Sequence, residues 1–176
     1  YAANRLKAVQ DEFIGQRLPS VLSLLSISEM QTEIDDLAYA ILANVLTGIN
    51  GSNSVSENSI SEKNISGIEN LLKKIEEEWS AYASLPATEE EEAIRTSYKM
   101  FYNVWRDDIK YYVDLAKEYN ETKSEDAKNM IIVKKIGSNN LYYNNSKGEL
   151  DKLVKLINEY TEAEKSEAGN VYNNVM

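Results

Sequence analysis

Apolar residues recur every three or four positions over long stretches of this chain, and no other feature constrains its fold as tightly. Ile27, Met30, Ile34, Leu37, Ile41 and Val45 form one such run. Ile65, Ile68, Leu72, Ile75, Trp79 and Tyr82 form a second, and Ile94, Tyr98, Phe101, Trp105, Ile109 and Tyr112 a third. That spacing puts each run on one face of an α-helix. No stretch alternates apolar and polar residues between hairpin turns, so no sheet is expected. Long helices with narrow apolar seams bury them by bundling. The expected fold is all-α: an antiparallel, up-down-up-down four-helix bundle.

The breaks between the runs divide the chain into four helices within a single domain of 176 residues. The first is expected over residues 2–46. Pro19 should kink it, because proline lacks an amide N–H and clashes with the preceding turn. Gly48 to Asn58, rich in Ser, Asn and Gly, reads as a loop. The second helix, over 59–84, stops before Pro86. Thr88 followed by Glu91 makes a capping box, and Glu89 to Glu92 suit the positive end of a helix dipole. A third helix is therefore expected over 88–120. Thr122 with Glu125, or Ser124 alone, caps a fourth over 124–175. Its weak point is Gly137 to Asn140, where it is expected to bend or unwind.

Short connections make neighbouring helices antiparallel. At ~1.5 Å per residue the outer helices reach about 70 Å and the inner two about 40–50 Å. Both termini then emerge at one overhanging end, the natural place for a membrane. Tyr1 and Met176 sit in helix-like patterns without cap or stop, and read either as ordinary frayed ends or as helices that run onward.

Composition removes most chemistry. The chain carries 29 acidic and 19 basic residues, a net charge of −10, which repels phosphate backbones, so nucleic acid is not an expected partner. It has no cysteine, hence no disulfide or thiol chemistry, and no histidine, the commonest general base. Glu89 to Glu92 form a charged first turn rather than a metal site, and no Asp/Asn–Gly calcium loop or Gly-rich phosphate loop is present. Trp79, Tyr82, Tyr98, Phe101 and Trp105, at helical spacing, read as core and not as a cofactor box. No catalytic residue, metal or cofactor is expected, and an enzyme is not expected. No apolar run is long enough to span a bilayer.

Several segments carry a resemblance. Glu76-Glu77-Glu78-Trp79-Ser80-Ala81-Tyr82-Ala83-Ser84-Leu85-Pro86, Thr88-Glu89-Glu90-Glu91, and then Tyr98, Phe101 and Trp105-Arg106 make up one corner. Leu18-Pro19-Ser20-Val21 leads to Ile27-Ser28-Glu29-Met30-Gln31-Thr32 in the first helix, and Glu149-Leu150-Asp151-Lys152-Leu153-Val154 with Asn158 lies in the fourth. Together they resemble the four-helix-bundle sensor domain of bacterial methyl-accepting chemotaxis receptors. The resemblance implies a homodimer on the periplasmic or extracellular face of the cell membrane. It also implies membrane helices before Tyr1 and after Met176, and a cytoplasmic signalling rod. The ligand, a small solute or a solute-binding protein, would bind between subunits in the membrane-distal half.

In some amino-acid-sensing members of that family, arginines beginning after a Gln-Thr pair clamp the ligand carboxylate. Here Gln31-Thr32 is followed by Glu33, and the later clamp positions read Ala38 and Leu42. Carboxylate capture by that mode is not expected. Matching heights along the antiparallel first and fourth helices gathers Glu33, Asp36 and Tyr39 with Asn140, Tyr142 and Tyr143, with Lys134 and Lys135 a few residues above. Carboxylates and phenols suit a cationic or hydroxyl-rich solute; the same residues also fit plain salt bridging and dimer packing. Ala38, Leu42 and Leu46 lie off the Ile34–Leu37–Ile41 seam and are expected to seek a partner subunit. The competing expectation is a structural or adhesive helical-bundle envelope protein with no small-molecule site.

Overall fold

The structure, a computed structural model, describes residues 7, 15, 17–47 and 60–173. The expected start of the first helix, the Gly48 to Asn58 loop and the last three residues lie outside the described residues. Among the described residues four helices make the bundle: α1 (Leu18–Thr47), α2 (Glu62–Ala83), α3 (Glu89–Thr122) and α4. The last has three stretches: an α-helical arm Glu125–Lys134, a π-helical turn Lys135–Asn139 and a second α-helical arm Asn140–Asn173. No described helix is long and apolar enough to cross a membrane.

Local chemistry sets the ends. Pro19 is the second residue of α1, and Gly15 and Arg17 just before it are π-helical, so the irregularity expected at this proline falls immediately upstream. At the start of α3 the Thr88 hydroxyl accepts from the Glu91 amide at 3.1 Å. Only half of the expected capping box forms. The Glu91 carboxylate turns inward, accepts from the Tyr82 hydroxyl and from Arg95, each at 2.7 Å, and is buried. Arg17, immediately before α1, approaches the same carboxylate at 3.7 Å and hydrogen-bonds Glu164 of α4 at 3.0 Å. A buried charge pulled into a network of cations outcompetes the solvent-side capping geometry. All four helices are thereby tied together at the end bearing the α2–α3 corner. At the other end Ser124, rather than Thr122, caps α4 by accepting from the Ala127 amide at 3.3 Å.

The buried core follows the three apolar runs closely. It includes Ile27, Ile34, Ile41, Ile65, Ile68, Ile75, Trp79, Tyr82, Tyr98, Trp105, Ile109 and Tyr112. Aromatic rings form a ladder: Tyr82–Trp79 (5.4 Å between centroids), Trp79–Tyr98 (4.7 Å), Tyr98–Tyr102 (5.7 Å), Tyr102–Trp105 (5.9 Å) and Trp105–Tyr143 (6.1 Å). It links the corner to the α1–α4 seam. Phe101 is half-buried, and Tyr102 takes the core place instead. A Cβ built on Gly67 would stand 3.0 Å from Leu37 Cδ1, so the bare glycine lets α1 and α2 lie close.

One expectation fails. Ala38 and Leu42 are buried in the bundle, not left for a partner. The helix α1 packs on α2 along one side and on α4 along the other, so its buried face is wider than a single stripe. Leu46 is exposed as expected.

Candidate functional site

The seam between α1 and α4 holds an unusual density of polar contacts in the half of the bundle nearer the α3–α4 connection. At its outer edge the Tyr39 hydroxyl donates to Asn140 Oδ1 (3.2 Å) and accepts from Asn140 Nδ2 (3.0 Å). Further towards the corner, the hydroxyls of Thr32 and Tyr143 lie 3.3 Å apart. Beneath them the buried Gln31 amide donates to Ser146 at 2.8 Å. Lys147 closes this part of the seam by donating to the Ser28 carbonyl at 3.0 Å and to the Ser28 hydroxyl. Burial pulls the Lys147 ammonium below its ordinary pKa. Burial pushes the Tyr143 phenol up; the Thr32 hydrogen bond opposes the shift, while Asp35, Asp36 and Asp151 add to it.

Behind this edge lies a denser network. The Lys135 side chain is fully buried and donates to Asp35, to Asn140 Oδ1 at 2.9 Å and to Asn139 Oδ1 at 3.2 Å. Its ammonium also sits 3.9 Å from the centroid of the Tyr39 ring. Asn139 donates in turn to Asp108 at 3.4 Å, and Asp108 accepts from Lys134 at 2.6 Å and from Ser138 at 3.1 Å. Tyr112, whose phenol burial pushes up with help from Asp35, donates to the Ala38 carbonyl at 2.9 Å and pins α3 to α1 beside the network. Two carboxylates face two ammonium groups here, and three of the four are buried or nearly so.

Of the six residues matched by height, the structure brings Tyr39, Asn140 and Tyr143 into this seam. Asp36 is exposed beside them, near enough to act on the Tyr143 phenol. Tyr142 is half-buried and packs against the core. Glu33 does not join them: it is exposed and lines a groove between α1 and α2 with Met30, Lys74 and Glu78. A single step of about 100° along α1 separates it from Thr32. Lys135, expected above the cluster, lies inside it. Asp35, Asp108, Ser138 and Asn139 are part of the network although height matching did not select them. The only sequence signal was Gly137 to Asn140, which marked the irregular turn but not the side chains that it would converge.

Comparison with curated proteins gives no match, and neither does comparison with solved structures. The model of one protein family, described as Tar ligand binding domain homologue (TarH), matches residues 23–151, a span that runs from α1 through the π turn into the second arm of α4. That span contains every seam residue described above, and the four-helix bundle is the architecture of the family. The chain belongs to the Tar ligand-binding-domain homologues, the four-helix-bundle sensor domains of chemoreceptors.

Proposed function

We propose that this domain is the extracytoplasmic sensor of a transmembrane chemotaxis-type receptor, working as a homodimer that takes its solute between the two copies of α1 beside α4. The observation that carries this reading is the outer face of α1. Its exposed residues Leu18, Leu22, Leu25, Glu29, Thr32, Asp36, Tyr39, Ala43 and Leu46 alternate in steps of four and three. That is the spacing of a two-helix coiled-coil seam. The seam is apolar near both ends and polar in the middle. Pairing two copies there brings Glu29, Thr32, Asp36 and Tyr39 of one protomer against the same residues of the other. Carboxylates facing carboxylates need a cation or a set of hydroxyl groups between them. A cationic or hydroxyl-rich solute, or a solute-binding protein that presents one, fits that chemistry.

Asp36, Tyr39, Asn140, Tyr142 and Tyr143 are the ligand-contacting residues in this reading; Glu33, which faces the α1–α2 groove, is not. The solute favours one dimer packing, and α4 moves slightly along or about its axis towards the membrane. The test is a chimera in which this domain replaces the sensor domain of a chemoreceptor with a known output. Polyols, amines and solute-binding proteins are then screened for a response. At least one class should change the output, and Asp36→Asn should weaken that response. A chimera whose output stays fixed across all classes would remove the reading. Free aspartate and serine at millimolar concentration are expected to leave the melting temperature of the domain unchanged, because α1 supplies no arginine to hold an α-carboxylate.

A further inference from the structure

The surroundings of the Lys135 ammonium form a complete shell for a primary ammonium ion. Such a group has three N–H donors and no acceptor. Three oxygen acceptors meet it, from Asp35, Asn139 and Asn140, and the face of the Tyr39 ring covers the remaining side. Aromatic faces attract desolvated cations, and a carboxylate supplies the neutralising charge. No part of the Lys135 side chain reaches solvent.

The backbone is shaped for this shell. In an α-helix residues four apart share a face, whereas residues five apart point about 140° away from each other. Asn139 could meet Lys135 from a regular helix; Asn140 could not do so on the same side. The π turn over Lys135–Asn139 closes its hydrogen bonds one residue later and turns less per residue, which brings both asparagines onto the same ammonium. Asn140 and the Tyr39 hydroxyl are bonded to each other, so two walls of the shell reach the outer edge of the seam.

We propose that this shell is a primary-ammonium subsite and that Lys135 occupies it as a tethered ligand. The inference rests on reading the α1–α4 seam as the solute site, and it adds a residue that sets specificity there. With Asp35 already neutralised, the seam rejects free alkylammonium ions at this position. Amines enter only where the tether is removed or displaced. The solute that binds between protomers therefore contacts the outer side of Tyr39 and Asn140, not the carboxylate behind them.

The test uses Lys135→Ala, which deletes the propylammonium portion of the side chain, with n-propylammonium chloride as the probe. Lys135→Ala should melt below the wild type. Propylammonium should raise its melting temperature by several degrees more than equal concentrations of sodium chloride or 1-propanol do. The wild type should gain nothing beyond the salt control, and the double variant Asp35→Asn/Lys135→Ala should lose the gain. If Lys135→Ala is unfolded in plain buffer, recovery of its helical circular dichroism by propylammonium, and not by the controls, is the supporting result. Equal responses from wild type and Lys135→Ala, no gain or recovery, or a gain that survives Asp35→Asn would each overturn the proposal. These results are independent of the chimera: a failed rescue leaves the sensor reading standing, and a silent chimera leaves the rescue chemistry intact.

Discussion

Trp79 shows how a single side chain is held by its neighbours. Its ring packs against Tyr82 and Tyr98, and the Lys99 ammonium lies 6.0 Å from the indole centroid. Trp79→Ala should cost ~3–5 kcal/mol, because the ladder cannot collapse into the space left. Thr88→Ala should cost only about 1 kcal/mol, by removing a cap, although the Tyr160 hydroxyl also loses its partner 2.9 Å away. Equal denaturant midpoints for the two variants would contradict this placement of Trp79. A second expectation at this scale concerns pH. Burial raises the pKa of the Glu76 carboxyl, but hydrogen bonds and charges from Lys99 and Arg106 outweigh it, and the net shift is downward. A carboxylate with a depressed folded pKa stabilises above its unfolded pKa, and that contribution is lost as pH falls through the folded value. Glu76→Gln should therefore be slightly less stable than wild type at neutral pH, by well under ~1 kcal/mol per exposed pair. The gap should close on acidification below the usual carboxylate range. A gap that widened in acid would reverse the sign of the argument. Lys135 is the residue the sequence could not place. A lysine in a helix ordinarily keeps its head in water, and nothing local tells that Asp35, a hundred residues away, waits for it.

At the scale of elements, the π turn makes the sharpest forecast. It holds one residue more than a regular helix needs between the same two arms of α4. Deleting Gly137 should convert the turn to α-helix while both arms keep their buried faces, so the variant should fold. A Cβ there would meet nothing within 4 Å, which shows that the backbone at this position is open. Deleting the exposed Lys152 from the second arm should be far more damaging, since it rotates everything beyond by about 100°. Far-ultraviolet circular dichroism and thermal melts compare the two. A Gly137 deletion as disruptive as the Lys152 deletion would mean that the turn holds no spare residue. The same element shows what could be read from the sequence and what could not. Helix number and order, and the breaks within residues 60–173, were legible because each has its own chemistry: Pro86 and Thr88 at the corner, Ser124 at the next turn, and Gly137 to Asn140 at the irregularity. Side-chain convergence was not legible, because a 3.6-residue period assigns Asn139 and Asn140 to different faces. The inner place of Ala38 and Leu42 was missed for a related reason. A single stripe describes contact with one neighbour, and α1 has two.

At the scale of the whole molecule, the unanswered demand is the outer stripe of α1. The bundle satisfies its own core, yet Leu22 and Leu25 remain 58% and 45% exposed, with Leu18 and Leu46 further along the same line. Contiguous apolar side chains at heptad spacing are stable in water only when another helix covers them. The polar middle of the stripe weakens that pairing, since Glu29 and Asp36 would face their own copies. The isolated domain is therefore expected to form a weak dimer, dominated by monomer at micromolar and by dimer approaching millimolar concentration. Sedimentation equilibrium over that range measures it. Leu22→Glu and Leu25→Glu should each abolish self-association while leaving helicity and melting temperature close to wild type, because neither side chain supports the monomer core. Val104→Glu, which alters an equally exposed residue on α3, should leave association unchanged. Added salt should tighten the dimer by screening the central carboxylates. A domain that stays monomeric at the top of the range, or one whose dimer survives both leucine substitutions, would place the partner surface elsewhere. The solute pocket assigned to the α1–α4 seam would then lose its second wall.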